Sequence, residues 1–569
     1  MSTALDRSYL RADTDAEFKA WTVGHLLRAA VSAVPDRVAL ICPAAAGAAP
    51  ASAAPASAPA AGAAPAGVAR TDALPERRWT YRQLEREADR AARALLTRFQ
   101  PGDRVATWAG AGPEILILQL GAALAGIVLV TLNPANRAVD LKYLLTQSEA
   151  RGLVLDRVFR KMDNVAVLEA LHGELPSLKH VIYTDEWAQF VAQAEAAAQA
   201  QEASSAQQAP LPALAPDAPA LILFTSGTTG KPKGVVLHHA GIVNNARFST
   251  ARIALDPGAV WLNVLPMFHV GGSVTMTLGC IANLGTQVLL AEFSAPGMLD
   301  ALQRYRATVT MAVPTMLHAL FEDAAFASTD FSALDVIVTG GTAIAPQLVR
   351  DVRTRFGSEV MVLFGQTEAG GCMCLTRRGD DEERVTRSVG TPLPLSEAKI
   401  VRTDGGAIAA VEEVGEICVR TRCAMTGYFR MPERTAETID AQGWVHTGDL
   451  GLMRADGYIQ VTGRLKDMII RGGENIYPRE IEEVLAEHPA VAQAAVFGVA
   501  DVKWGEQVAA AVILKPGASG TAEAFMEYLQ ERIARHKVPK VWHFVETFPV
   551  NATGKIQKFV LRERFENPA

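Results

Sequence analysis

"ILFTSGTTGKPKGVVLHH", residues Ile222 to His239, runs an apolar strand directly into a loop of glycine, threonine, serine and lysine. Glycines let a backbone approach an oxyanion closely, successive N–H groups form an anion nest, and hydroxyls and lysines add donors and charge. The spacing is not that of a Walker loop, which needs four residues between its glycine and the Gly-Lys pair. Only Thr228 and Thr229 separate Gly227 from Gly230-Lys231, and Pro232 removes the backbone donor that would follow. On composition alone a Gly/Thr surface turn is the competing reading. Two features weigh against it: a strand feeds the loop, and polar loops of the same kind recur downstream.

Those later loops punctuate an alternation of short apolar runs and helical stretches. VWLNVLP, TQVLLA, TVTMAVP, DVIVTGG and EVMVLFG read as buried strands, and LVRDVRTRF as one intervening helix. Such alternation predicts an α/β fold with mostly parallel sheet, in which ligands sit beyond the carboxyl ends of the strands. TSGTTGKPKG follows LILF, FHVGG follows NVLPM, GGT follows DVIVT and GQTE follows MVLF. Four polar loops at strand ends predict one site on one rim.

Upstream, Leu26, Leu27, Ala30, Val31 and Val34 predict a helix over Val23 to Val34, stopped by Pro35. AAAGAAPASAAPASAPAAGAAPAG, residues 44–67, buries too little apolar surface to order itself and is expected to be a disordered surface loop. Thr80 then caps a helix, with Gln83 completing a capping box and Leu84, Ala88, Ala91, Leu95 and Phe99 facing inward. ILILQLGAALAGIVLVTL, Ile115 to Leu132, is close to membrane-spanning length. Gly121 and Gly126 interrupt it and its second half is β-branched, so a buried helix followed by a buried strand is expected instead. AQAEAAAQAQEASSAQQAPLPALAPDAP predicts an Ala/Gln helix and then a Pro-rich linker before Leu221.

The chain has 569 residues, about half of them apolar, enough for several domains. A net charge of −6 offers no basic field, which argues against nucleic acid as a partner. Cys42, Cys280, Cys372, Cys374, Cys418 and Cys423 include no CxxC pair, which argues against zinc and for a reduced cytoplasmic protein. The opening MSTALDRSYLRADTDAEF shows no apolar signal core.

TSGTTGKPKG, LPMFHVGG, FGQTEAGG, GWVHTGDLG, GRLKDMIIRGGENIYPREIE and NATGKIQK, in this order over residues 222–558, resemble the adenylate-forming superfamily. The similarity is greatest to its AMP-forming fatty-acyl-CoA synthetases, and WTYRQL and GIVLVTLNP extend it towards the N-terminus. The resemblance implies a large N-terminal domain over 1–465, its sheets flanked by helices and interrupted by the insert at about 43–68. A small mobile C-terminal α/β domain would follow over 466–569, after a hinge at Lys466. It implies that a carboxylic acid attacks the α-phosphate of ATP with Mg²⁺ present, and that coenzyme A captures the acyl-adenylate. Both steps move phosphate-borne charge, so positioning and electrostatics should carry catalysis.

By the same resemblance, Thr225, Ser226, Gly227, Thr228, Thr229, Gly230, Lys231 and Lys233 would hold the β- and γ-phosphates. Thr367 would donate to the α-phosphate and Glu368 would hold Mg²⁺, against the alternative of a solvated loop acid. Phe364 replaces the usual tyrosine, beside Gly365 and Gln366, and would still stack on adenine, flanked by Gly341 and Thr342. Asp449 would bind the ribose hydroxyls and Arg464 the ribose or α-phosphate region; taken alone, the two read as a surface ion pair. His269 would stand at the mouth of an acyl tunnel, with a satisfied core histidine as the competing reading. Gly271 and Gly272 beside it leave either space for substrate or room for close packing. Ala240-Gly241 departs from the Arg-Asn common in relatives. Gly472 and Gly473 would lie along the pantetheine arm of coenzyme A, and Lys555 would bridge α-phosphate and carboxylate during adenylation.

The expected substrate is a medium- or long-chain fatty acid. An aryl or arylalkanoic acid is the second reading, and an adenylation module or nucleotide-binding relic without CoA ligation the third. No transmembrane segment is expected, and a homodimer is a further expectation.

Overall fold

The computed structural model describes residues 5–44, 75–171, 173–202, 210–225, 231–341, 344–472, 474–550 and 556–566. All but Ala44 of the Ala/Pro insert, Ser226, Gly227, Thr228, Thr229, Gly230, Thr342, Gly473 and Lys555 lie outside these residues.

The helix over Tyr81–Leu96 begins at the capping box predicted for it. Thr80 Oγ1 accepts from the Gln83 amide, while Gln83 Oε1 accepts from the Thr80 amide at 2.8 Å. Leu84, Ala88, Ala91, Leu95 and Phe99 are all buried. Against this face lies the apolar helix Pro113–Ala125. The approach is close enough that a Cβ on Gly121 would stand 2.7 Å from Ala91 Cβ and 3.0 Å from the Ala88 carbonyl oxygen. Gly126 ends that helix in the left-handed region, φ +72°, and strand Val128–Thr131 follows, fully buried. The membrane-length stretch is thus a core helix and a core strand. Among the described residues no helix is long and apolar enough to cross a membrane.

The first helix runs over Val23–Ala33 and Val34 closes it; the Ala/Gln stretch is helical over Trp187–Glu202. Among the described residues, two large sheets carry the α/β fold. In the nine-stranded sheet, Glu359–Gln366, Val336–Gly340, Val309–Met311, Val260–Asn263, Thr286–Leu289 and Val38–Cys42 are successive parallel neighbours. Antiparallel strands finish both of its edges. In the seven-stranded sheet, Pro219–Thr225, Val128–Thr131, Arg104–Trp108, Gly152–Leu155 and His180–Tyr183 are parallel.

Strand Pro219–Thr225 therefore belongs to a different sheet from the strands that carry FHVGG, GGT and GQTE. The four polar loops do not share one rim. They come from two sheets, and apolar runs alone could not reveal this because both sheets are buried on their faces. Lys233–His238 turns back antiparallel beside Pro219–Thr225, with Thr225 opposite Lys233.

A third sheet of five strands is antiparallel throughout and holds Gly415–Thr421, Val445–Met453 and Ile459–Arg464 side by side. Beyond the turn Leu465–Asp467, the chain builds a further five-stranded sheet around its own core of Ile469, Ile476, Ile481, Leu485, Val508 and Phe525. Here Ile469–Arg471 and Glu474–Ile476 form a hairpin, and Pro478 opens helix Pro478–Ala486 with Glu480 in its first turn.

Candidate active site

The two large sheets meet where Thr225 ends its strand. Its hydroxyl donates to Glu368 Oε1 at 3.1 Å. Glu368 lies in the single turn Thr367–Ala369 that follows strand Glu359–Gln366, and Thr367 beside it is buried. A third segment completes the junction. Gly427–Tyr428 is a two-residue strand paired with Val235 and Val236, and the Tyr428 hydroxyl donates to the same Glu368 Oε1 at 2.8 Å. Lys233 Nζ donates to the Tyr428 hydroxyl at 2.8 Å and lies 4.0 Å from the ring centre. Burial, reinforced by the Glu368 carboxylate, raises the Tyr428 pKa well above the usual phenol range, so the group is a neutral donor. Burial also lowers the Lys233 pKa, against the pull of Glu368.

Among the described residues both hydrogen bonds fall on Glu368 Oε1 and none on Oε2. A half-buried carboxylate held on one oxygen suits a hard cation on the other. Lys231, by contrast, is exposed, with its ammonium 5.6 Å from the Tyr143 ring centre.

Two residues before Glu368, Gln366 Nε2 donates to the Thr447 carbonyl at 2.7 Å and to Asp449 Oδ2 at 3.0 Å. Asp449 is 7% exposed, and its Oδ1 lies 3.2 Å from Arg464 Nε on the paired strand. The Asp449–Arg464 pair is therefore no surface pair on the acidic side. A carboxylate is an acceptor-only group with about four acceptor positions, the chemistry that a ribose diol calls for. Phe364 is half-buried at the end of the same strand. Gly365 passes so close to the next strand that a Cβ would stand 2.1 Å from the Gly371 carbonyl oxygen. Gly341 ends its strand exposed, with φ +82°.

His269 is exposed, which removes the core-histidine reading. Its Nδ1 accepts from the Gly271 amide at 3.1 Å, which assigns the ring hydrogen to Nε2 in the neutral form. Gly271–Met276 then forms a turn of π-helix, a geometry frequent at functional sites. Gly272 serves packing, since a Cβ there would meet the Pro266 carbonyl oxygen at 2.4 Å. At Ala240-Gly241, His238 caps helix His239–Ile253 by accepting from the Gly241 amide, and a Cβ on Gly241 would stand 2.7 Å from that imidazole. An asparagine at 241 would require this histidine cap to shift.

Lys466 sits in the connecting turn. Desolvation of its ammonium and then the Arg464 charge lower its pKa, opposed by Asp467 and Asp449. Gly472 takes φ +61°, its amide donates to the Trp504 carbonyl at 2.8 Å, and a Cβ would stand 2.7 Å from the Trp504 ring. Val550 and Ile556, on either side of the segment carrying Lys555, pair antiparallel.

Thr225, Lys233, Gln366, Glu368, Asp449 and Arg464 are thus joined in two hydrogen-bonded groups, linked through the segment Gln366–Glu368. Sequence reading missed Tyr428. Its signal is a lone Gly-Tyr in TGYFR, whose role depends on a pairing with a strand nearly two hundred residues earlier.

The AMP-binding enzyme family matches over residues 58–429 and the C-terminal domain of AMP-binding enzymes over 480–555. The chain is 35% identical to a putative acyl-CoA synthetase of Bacillus subtilis, YngI, over 87% of this chain and 95% of that protein. It is 32% identical to the mitochondrial medium-chain acyl-CoA ligase ACSF2 of Homo sapiens, over 98% of this chain and 90% of that protein. Among solved structures, ATP-bound MatB of Rhodopseudomonas palustris superposes with a TM-score of 0.81 at 27% identity, over 96% of this chain and 99% of that one. A fatty acyl CoA synthetase of Mycobacterium tuberculosis superposes at 0.71 with 28% identity, over 97% and 99%.

Proposed function

This chain belongs to the AMP-binding enzyme family, as an AMP-forming acid–CoA ligase, and we propose that it acts on medium-chain fatty acids with the site around Glu368. The observation that carries the assignment of the site is the short segment Gln366–Glu368. It is bonded at one end to Asp449, the carboxylate that would bind ribose, through Gln366, and ends at the other in Glu368, the carboxylate that would hold the metal. Thr367 between them would donate to the α-phosphate.

In the first half-reaction, a carboxylate oxygen of the acid attacks the α-phosphorus and the bond to the bridging oxygen of pyrophosphate breaks. Thr225, Lys231, Lys233 and residues 226–230 hold the departing pyrophosphate, and Lys555 bridges acid and α-phosphate. Mg²⁺, when bound, would neutralise phosphate charge, and Glu368 would hold it. Tyr428 and Thr225 orient that carboxylate through Oε1. In the second half-reaction the thiol sulfur of coenzyme A attacks the acyl carbon, the acyl–phosphate oxygen bond breaks, AMP leaves, and the thiol proton passes to solvent. Gly472 and Gly473 let the backbone lie against the pantetheine arm, and residues 466–569 turn about Lys466 between the steps.

The medium-chain assignment is supported by the human relative's name and by an exposed His269 beside a π-helical turn that opens with Gly271 and Gly272. Free, buried cysteines suit a reducing compartment, the cytoplasm. The test is AMP release with coenzyme A over acetate, octanoate, palmitate and benzoate. Octanoate should exceed acetate by more than tenfold in kcat/KM, since each buried methylene contributes about 0.8 kcal/mol. Parity with acetate overturns the fatty-acid reading, a preference for benzoate replaces it with an aryl one, and AMP release indifferent to coenzyme A removes the ligase step.

A further inference from the structure

Apart from the nucleotide site, three side chains of unlike chemistry converge on the antiparallel sheet. Glu416 and Cys418 stand two residues apart on strand Gly415–Thr421 and so project from one face. Cys418 is paired with His446 on the neighbouring strand. His446 Nδ1 lies 2.8 Å from Glu416 Oε2 and 3.5 Å from Cys418 Sγ, and one such atom from each residue falls within 4.8 Å of the others. On the far side of the ring, Nε2 lies 3.6 Å from Asp440 Oδ2. Between the pairs Glu416–Leu450 and Cys418–His446 the second strand bulges, and there Glu416 Oε1 accepts from the Gly448 amide at 3.0 Å.

A Glu–His–Asp chain accounts for two carboxylates and a ring, as a structural ion pair. It does not account for the thiol. The 2.8 Å contact of Nδ1 with a carboxylate oxygen holds a hydrogen between them; once the neutral ring carries that hydrogen on Nε2 instead, towards Asp440, Nδ1, Sγ and Oε2 become three lone-pair atoms facing one another. A carboxylate behind a histidine, turning its other nitrogen towards a second set of ligands, is the arrangement that orients metal-binding imidazoles. Nitrogen, sulfur and oxygen in one cluster match the ligand preference of zinc, with a fourth position left to solvent. The His446 side chain, 31% exposed, gives a cation its way in.

We propose that Glu416, Cys418 and His446 bind a divalent cation of the zinc class, with Asp440 as the positioning residue for the ring, and that its occupancy restrains the bulge carrying Asp449. Loading breaks the Cys418 S–H bond, sends that proton to solvent and forms a sulfur–metal bond, while the ring hydrogen leaves Nδ1 and Nε2 takes one up towards Asp440, so that the imidazole stays neutral. Cysteine spacing could not announce the site, because two of the three ligands come from strands joined only by the fold.

The test titrates the full-length protein with Co²⁺ as a spectroscopic substitute for Zn²⁺. One equivalent should produce a near-ultraviolet thiolate-to-cobalt charge-transfer band that Zn²⁺ abolishes by competition. The Glu368 site offers no sulfur and contributes no such band. Cys418→Ser should lose the band and weaken Zn²⁺ binding at least tenfold, while AMP formation without added zinc stays unchanged. Cys423→Ser, which alters another buried thiol, should keep the band. Asp440→Asn should keep it with affinity lowered roughly ten- to hundredfold. A wild-type protein without the band at saturating Co²⁺, or an undiminished band in folded Cys418→Ser protein, overturns the proposal.

Discussion

Tyr428 and Glu368, sixty positions apart in the chain, are joined by a hydrogen bond of 2.8 Å that ties a third segment to the carboxylate between the two large sheets. Tyr428→Phe keeps the ring beneath Lys233 and removes the hydroxyl that donates to Glu368 and accepts from Lys233. A hydrogen bond to a charged group is worth about 1.5–3 kcal/mol. We expect kcat/KM for ATP at limiting Mg²⁺ to fall about ten- to hundredfold, with a higher Mg²⁺ requirement and a melting temperature close to wild type. An unchanged Mg²⁺ dependence contradicts a role for Tyr428 in placing Glu368.

The two half-reactions should separate by variant. Lys555→Ala removes a cation from developing phosphate charge, a loss of roughly 10²–10³ in rate by comparison with other electrostatic stabilisers. That loss should appear in pyrophosphate exchange and spare capture of pre-made acyl-adenylate by coenzyme A. Gly472→Ala should do the reverse, because φ +61° strains a side chain and its Cβ presses on the Trp504 ring. Equal loss of both activities in both folded variants would count against an alternating C-terminal domain.

His239 makes stability depend on pH. It is fully buried, Nδ1 accepts from the Val23 amide at 3.4 Å, and burial with the charges of His238 and His25 lowers its pKa from 6.5 to about 4. The unfolded chain therefore takes up a proton that the folded chain refuses. Stability is complete above the unfolded value and is lost as pH falls from 6.5 towards 4. Between pH 7 and pH 5 this one group should cost about 2 kcal/mol. His239→Asn, which keeps an acceptor near Nδ1, should flatten that part of the profile in urea unfolding. An identical pH slope in the variant would show that other groups set it.

The Ala/Pro-rich segment should be dispensable. Cys42 and Arg77 are direct partners across an antiparallel pair, so the chain between them needs to span only a hairpin. Replacing residues 45–74 with a short Gly/Ser linker should leave turnover and melting temperature nearly unchanged, since loop length has a weak entropic effect. A large drop in either would assign the segment a packing or catalytic role.

Local patterns made much of the fold legible. The Thr80–Gln83 capping box and the left-handed Gly126 set their boundaries from a few neighbouring residues. Thr225, Gln366, Glu368 and Asp449 were singled out through the motifs that contain them, and the structure joins them by hydrogen bonds in two pairs. What local pattern could not show was sheet membership. Buried strands of both large sheets have the same apolar sequence, so the loops after Thr225 and Gln366 read as neighbours on one rim. Tyr428 was hidden for a related reason. A two-residue strand carries no periodicity, and only its pairing with Val235 and Val236 brings the phenol to Glu368.

The central claim is that the segment Gln366–Glu368 presents ATP to a fatty carboxylate for attack at the α-phosphorus. A single-turnover reaction with octanoate labelled with heavy oxygen in its carboxyl group, with ATP, Mg²⁺ and coenzyme A, tests it most directly by mass spectrometry of the nucleotide product. The account predicts AMP carrying one labelled oxygen from the acid, octanoyl-CoA keeping the other in its carbonyl, and unlabelled pyrophosphate. ADP with labelled inorganic phosphate, or AMP without label, would contradict it.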